Sequence, residues 1–197
     1  MAVNALSEEI KFYKPNQRFI IPINSFHVPK KLLKEFKKKK FNYEINNNFL
    51  QVIENCSKTS QKRAETWINE VIKNSYINLF KEGFAKSIEC YDKKELIAGL
   101  YGIHIGGCFF GESMFSKINN ASKFCLLFLI SILNENDFKV LDSQFYNPHL
   151  LQFGAYEIDD KEYQLKLKKN INNKCIFPKK FDLENTIYIL QSLIHKS

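Results

Sequence analysis

The stretch ELIAGLYGIHIGGCFFGESMFSKINNASKFCLLFLISILNENDFKVLDSQ, residues 95–144, decides the fold. Its first part carries strand chemistry. Glu95–Ile105 and Cys108–Phe115 meet at Gly106-Gly107, and Ala85–Tyr91 precedes them across Asp92-Lys93-Lys94, which predicts an antiparallel meander. From Asn120 to Asn134 the residues are apolar almost all round, so a helix buried against that sheet follows. Phe138–Gln144 reads as a further strand. The unit is α+β: meander, buried helix, strand.

Three polar residues break this apolar pattern. Glu112 stands inside Phe109-Phe110-Gly111-Glu112-Ser113-Met114-Phe115, and a Gly within a strand marks a bulge or a close backbone approach. Such a bulge aims Glu112 into an apolar cavity; the other reading is an edge-strand Glu facing water. Asp142 and Gln144 lie two apart, so on a strand both side chains leave the same face. An Asp beside a Gln polarises the amide; alternatively Asp142 caps the turn at Asn147-Pro148 and Gln144 is exposed. Polar groups so placed cost free energy unless satisfied, which is why they are candidates for a site.

Outward from this stretch, Leu32, Leu33 and Phe36 at helical spacing among Lys30–Lys40 make a basic amphipathic helix after Pro29. Tyr43–Ile45 is a short strand. Asn46–Asn48 offers caps for a helix carrying Phe49, Val52, Ile53 and Cys56. A polar loop, Lys58–Glu65, leads to Trp67 and to a helix from about Asn69 to Glu82 closed by Gly83. After the central unit come a helical turn at His149–Phe153, an extended Tyr156–Ile158, a helix Asp159–Lys169, and a last helix Asp182–His195 with a stripe of Leu183, Ile187, Leu190 and Ile194. Residues 1–17 read as a loose arm. The chain divides into an N-terminal arm and basic region (1–65), a central α+β core (66–170) and a helical tail (171–197).

Composition narrows the function. The 197 residues are 45% apolar, enough for one sizeable core. Five dispersed cysteines without a CxxC pair favour buried thiols in a reducing cytoplasm, and four scattered histidines offer no metal cluster. The longest apolar run, Phe124–Leu133, is too short to span a bilayer. The net charge of +8 is concentrated at Lys30–Lys40, Lys58–Arg63 and Lys166–Lys169. A solvated lysine-rich surface is one reading and a polyanion partner the other. Only Arg18 and Arg63 are arginines, so bidentate base reading of DNA is disfavoured. Trp67, the single Trp, suits either a stacked base or the core.

Phe26-His27-Val28-Pro29, Thr66-Trp67-Ile68, Gly99-Leu100-Tyr101-Gly102, Gly111-Glu112-Ser113-Met114-Phe115-Ser116, Asn120-Ala121-Ser122-Lys123, Asp142-Ser143-Gln144 and His149, in this order, resemble the leucyl/phenylalanyl-tRNA–protein transferase family. The resemblance runs from about Arg18 to Lys169. It implies a GCN5-related N-acetyltransferase-like core with flanking helices. It also implies transfer of Leu or Phe, and less well Met, from aminoacyl-tRNA to proteins beginning with Lys or Arg, in the cytoplasm and without metal or cofactor. Carried over by position, Leu100, Phe109, Leu126, Leu129, Leu133 and Leu141 would form the aminoacyl pocket. Glu112, Asp142 and Gln144 would arrange the attacking amine, with Asp142 polarising the Gln144 amide and Asn147 and His149 in support. Trp67 would hold the terminal adenosine of the tRNA. Lys30, Lys31, Lys34, Lys37, Lys38, Lys62 and Arg63 would meet its backbone, read by shape. Leu129 and Leu133 replace family aromatics, which implies a wider pocket.

Family members also carry an N-terminal Gly-x-Phe-Pro segment that would end about where Met1 stands. The resemblance therefore implies a start farther upstream or a shortened N-terminal subdomain with a weakened adenosine site. Two other readings follow from the same residues. An acyl-CoA N-acyltransferase of this fold is disfavoured because Ser116–Lys123 contains no Gly to wrap a pyrophosphate. A tRNA-binding relic without activity would bind tRNA and transfer nothing.

Overall fold

A computed structural model describes residues 10–39, 41–59 and 66–195, and the backbone at residues 2 and 3. Two short strands, β1 (Ala2–Val3) and β2 (Lys11–Phe12), pair with each other. They are followed by β3 (Gln17–Ile20) and by α1 (Lys30–Lys38), which buries Leu32, Leu33 and Phe36 beneath exposed lysines. Next come β4 (Asn42–Ile45), then α2 (Phe49–Ser57) with Asn48 accepting the Gln51 N–H as its cap, and α3 (Glu70–Lys81) with Asn69 accepting from Ile72. The meander is β5 (Ala85–Asp92), β6 (Glu95–Ile105) and β7 (Cys108–Ser116). Helix α4 (Ala121–Glu135) leads to β8 (Val140–Asp142), a 3₁₀ turn (Pro148–Phe153), β9 (Tyr156–Asp159), α5 (Asp160–Asn170) and α6 (Leu183–Ile194).

Seven strands form one mixed sheet in the order β4-β5-β6-β7-β8-β3-β9. Only β7 and β8 run parallel, and their crossover is α4, as a parallel connection requires. Residues 85–116 hold the expected meander, and α4 is buried from Phe124 to Leu133. Side chains alternate along β6. Leu100 packs into the core under α4 with Phe109, Phe128 and Leu133, whereas Tyr101 joins Phe49, Val52 and Ile72 beneath α2 and α3. Among the described residues no helix is long and apolar enough to cross a membrane.

Three expectations need correction. Residues 1–17 are not simply a loose arm, since Lys11–Phe12 pairs with Ala2–Val3 and a strand begins at Gln17. That strand, β3, lies between β8 and β9, with Ile20 opposite both Asp142 and Tyr156. The strand expected over Phe138–Gln144 covers only Val140–Asp142, because the Asp142 carboxylate accepts the Gln144 main-chain N–H at 2.7 Å and turns the chain. On α6 the wholly buried face is Thr186, Ile189, Leu190 and Leu193, while Leu183, Ile187 and Ile194 pack only partly against the core.

The β6–β7 turn is clamped from the far end of the chain. Gly106 has φ +59°, and a Cβ there would stand 1.9 Å from the Ile171 carbonyl oxygen. Gly83 also has positive φ, +84°, but nothing lies within 4 Å of its Cβ direction. Gly83→Ala should therefore show backbone strain alone, about 1 kcal/mol. Gly106→Ala should add a clash and lose about 2 kcal/mol or more. Urea unfolding of the two variants checks this; equal losses would contradict it.

Candidate active site

The ladder between β6 and β7 skips one residue. Tyr101 pairs with Ser113 and Gly102 with Gly111, so Glu112 is the extra residue of a bulge. The bulge that Gly111 signalled is present, and it sets Glu112 on the wall of a cavity. Burial pushes the Glu112 carboxyl up to about 7, against a hydrogen bond from the Tyr76 hydroxyl that favours the ionised form. Tyr76 is itself wedged between rings, with its centroid 5.1 Å from Tyr101 and 6.4 Å from Trp67, both edge-on.

The raised Glu112 pKa fixes the sign of a stability effect. The folded chain holds this proton more tightly than the unfolded chain does, so stability falls as pH rises from about 4.5 to about 7. Glu112→Gln removes that ionisation. The variant should be more stable than the wild type at pH 7.5 by about 1–3 kcal/mol and no more stable at pH 4. Denaturant unfolding at the two pH values measures the difference.

On the neighbouring strand β8, Asp142 is fully buried. Its Oδ2 accepts the Tyr163 hydroxyl at 2.6 Å and Arg18 Nη1 at 3.1 Å, and its Oδ1 accepts the Gln144 N–H at 2.7 Å. Burial raises its carboxyl pKa, while the Tyr163, Gln144 and Arg18 donors oppose that rise. Gln144 is 6% exposed, has φ +63°, and places its Nε2 3.5 Å from the Asp142 carbonyl oxygen. The expected polarisation of the Gln144 side chain by the Asp142 carboxylate is thus not the geometry present. Asp142 holds the main chain of Gln144, and Gln144 lies beyond the strand rather than on it.

These elements enclose a cavity of about 460 Å³ where β7 and β8 part after the pair Phe110–Asp142. A gap at the carboxyl ends of diverging parallel strands is a usual ligand position. Leu100, Leu126, Leu129 and Leu141 form apolar wall with Ile21, Leu150 and Phe153, and Glu112, Gln144, Asn147, His149 and Lys123 supply polar groups. Phe109 and Leu133, expected in the same pocket, are instead fully buried core outside this lining, and Phe109 stacks on Phe177 at 5.6 Å. Asn147 caps the 3₁₀ turn by accepting the His149 N–H at 3.0 Å, and His149 is exposed at the cavity edge.

Trp67 is half-buried and does not line the cavity; Tyr76 connects it to Glu112. Lys30, Lys31, Lys34, Lys37 and Lys38 are exposed on α1, while Lys62 and Arg63 lie outside the described residues. Helix α1 is tied to the start of α4 by Asn120 Nδ2 donating to Glu35 Oε2 at 2.8 Å, next to the cavity residues Ser122 and Lys123. Among the described residues no three His, Cys, Asp or Glu side chains group as metal ligands.

Sequence reasoning missed Arg18, Tyr163, Tyr76, Ile21, Leu150 and Phe153. For Arg18 a signal existed: it is one of only two arginines in a lysine-rich chain, and its Nη1 donates to a buried carboxylate.

Residues 20–168 match the family described as leucyl/phenylalanyl-tRNA protein transferase. A leucyl/phenylalanyl-tRNA–protein transferase of Hyphomonas neptunium is 42% identical over 154 residues, which are 78% of this chain and 60% of that protein. The chain thus spans about 60% of the length of that relative. In fold it is similar to the crystal structure of FemX, with a TM-score of 0.55 at 12% identity, over 81% of this chain and 65% of that one.

Proposed function

Because this chain belongs to the leucyl/phenylalanyl-tRNA–protein transferase family, we propose that it is an aminoacyltransferase. It moves Leu or Phe, and less readily Met, from aminoacyl-tRNA to the α-amino group of proteins that begin with Lys or Arg. The observation that carries this reading is one largely apolar cavity lined by both Glu112 and Gln144. The cavity takes the aminoacyl side chain against Leu100, Leu126, Leu129 and Leu141, a lining that favours aliphatic and aromatic groups and discriminates weakly among them. The acceptor amine attacks the ester carbonyl, a C–N bond forms, and the C–O bond to the terminal ribose breaks. The ester is already activated, so positioning supplies most of the acceleration.

The attacking nitrogen must also lose a proton. Glu112 receives it, because a carboxylate with a pKa of about 7 is matched to an α-amino group near 8 and a neutral amide is not. Gln144 orients the amine by hydrogen bonding. The proton ends on the departing ribose oxygen. The exposed lysines of α1 carry the tRNA backbone, and Trp67 takes the terminal adenosine beside Tyr76.

Transfer of labelled Leu from charged tRNA to an Arg-starting peptide tests the proposal. The expected product is the peptide extended by one Leu, now beginning Leu-Arg, with none formed from acetyl-CoA; tRNA binding without transfer would overturn it. Pocket width is tested separately. Leu129→Phe should lower transfer of Phe about 10-fold more than transfer of Leu, since filling a snug apolar pocket changes discrimination by about 1–3 kcal/mol. Competition between the two charged tRNAs measures the ratio, and an unchanged ratio would remove Leu129 from the pocket wall.

A further inference from the structure

Asp142 borders the cavity but is fully buried, and both its carboxylate oxygens are engaged by protein donors. It touches Gln144 through the main chain. Gln144 carries a left-handed backbone, φ +63°, which an L side chain adopts at a cost of about 1–2 kcal/mol. The 2.7 Å bond from its N–H to the Asp142 carboxylate is charge-assisted and offsets that strain. The Gln144 carbonyl oxygen accepts the Phe19 N–H of β3 at 3.1 Å, and its own N–H depends on where the Asp142 carboxylate is held.

Two residues from distant segments hold it. Tyr163 of α5 donates its hydroxyl at 2.6 Å, and Arg18 of β3 donates Nη1 at 3.1 Å to the same oxygen. They also brace each other, the Arg18 guanidinium lying 4.6 Å over the Tyr163 ring. Among the described residues, Glu112 and Cys108 of β7 also interact with the Asp142 charge, without donating a hydrogen bond to it. We infer that Tyr163 and Arg18 are positioning residues: they fix the Asp142 carboxylate in the orientation that pins the Gln144 main chain, and through it the Gln144 side chain at the cavity. The consequence for catalysis rests on the aminoacyl-transfer reading above.

The test has one arm that needs no activity. In the full chain, the Gln144 backbone amide resonance should shift as Asp142 titrates. Tyr163→Phe removes a donor to the carboxylate, so that midpoint should move to higher pH. In the second arm, Tyr163→Phe should lower kcat for labelled Leu transfer about 10-fold with little change in KM for tRNA. Its pH profile should also show a loss of rate at the amide midpoint, separate from the limb that Glu112 sets. Arg18→Lys, which keeps the charge, should retain more activity than Tyr163→Phe, and it carries the same two readouts if Tyr163→Phe does not fold.

An unmoved amide midpoint overturns the clamp. A moved midpoint with unchanged kcat and pH profile, in a wild type that transfers, overturns the catalytic consequence alone. A wild type that transfers from neither charged tRNA overturns the functional reading instead, and the amide arm then decides the clamp by itself.

Discussion

Glu112→Gln is expected to lower aminoacyl transfer by about 10²–10⁴-fold, the usual contribution of a positioned acid or base, while the protein stays folded. The substitution keeps the size of the side chain and an oxygen for the Tyr76 hydroxyl, so the bulge at Gly102–Gly111 has no reason to move. What it removes is the capacity to take a proton. In the wild type that capacity appears as Glu112 ionises, so the rate should climb as pH rises through about 7. The variant should lose this limb and follow only the deprotonation of the acceptor amine. Rates at saturating charged tRNA between pH 6 and 9 check both parts. A loss below 10-fold with an unchanged profile would move the proton to the ribose hydroxyl of the substrate. The variant is also expected to be the more stable protein at neutral pH, so activity and stability should move in opposite directions. A merely structural Glu112 would move them together.

Much of this site is legible along the chain, because its parts are local. Gly106-Gly107 and the period of two identify β6 and β7, and Gly111 marks the bulge that aims Glu112. The apolar circumference of residues 121–135 requires burial, which places Leu126 and Leu129 near the sheet. Other parts depend on long-range pairing. Gln17–Ile20 has no periodicity of its own and becomes a strand only between β8 and β9, which lie more than a hundred residues later. The partners of Asp142 are also non-local, with Arg18 separated by 124 residues and Tyr163 by 21. Spacing alone suggests that Asp142 and Gln144 share a strand face, because nothing local announces that the carboxylate will capture a main-chain N–H and end the strand. Phe109 and Leu133 show the same limit. Their apolar character is consistent with either wall or core, and the packing of Phe177 on Phe109 decides for core.

That remote pairing should also dominate stability. Arg18→Met is expected to destabilise the fold by about 3–5 kcal/mol at neutral pH, since it leaves a wholly buried carboxylate without its counter-charge. The lower end of that range is the better expectation. The Arg18 side chain is 14% exposed, and Tyr163 and Gln144 still donate to Asp142. The pH dependence separates charge from packing. Burial already raises the Asp142 pKa, and loss of Arg18 raises it further, so the variant holds its proton to higher pH than the wild type does. Between the unfolded and folded pKa values the folded state binds more protons, and stability falls as pH rises. The deficit of Arg18→Met should therefore shrink toward pH 4 and widen toward pH 8. Adding Asp142→Asn should recover part of the loss at pH 8, because the amide carries no charge to strand. It should recover less at pH 4, because the raised pKa leaves more of the carboxyl protonated there. Urea unfolding of the single and double variants at both pH values measures this. A deficit independent of pH would mean that Arg18 acts through its packing on Tyr163 rather than through its charge.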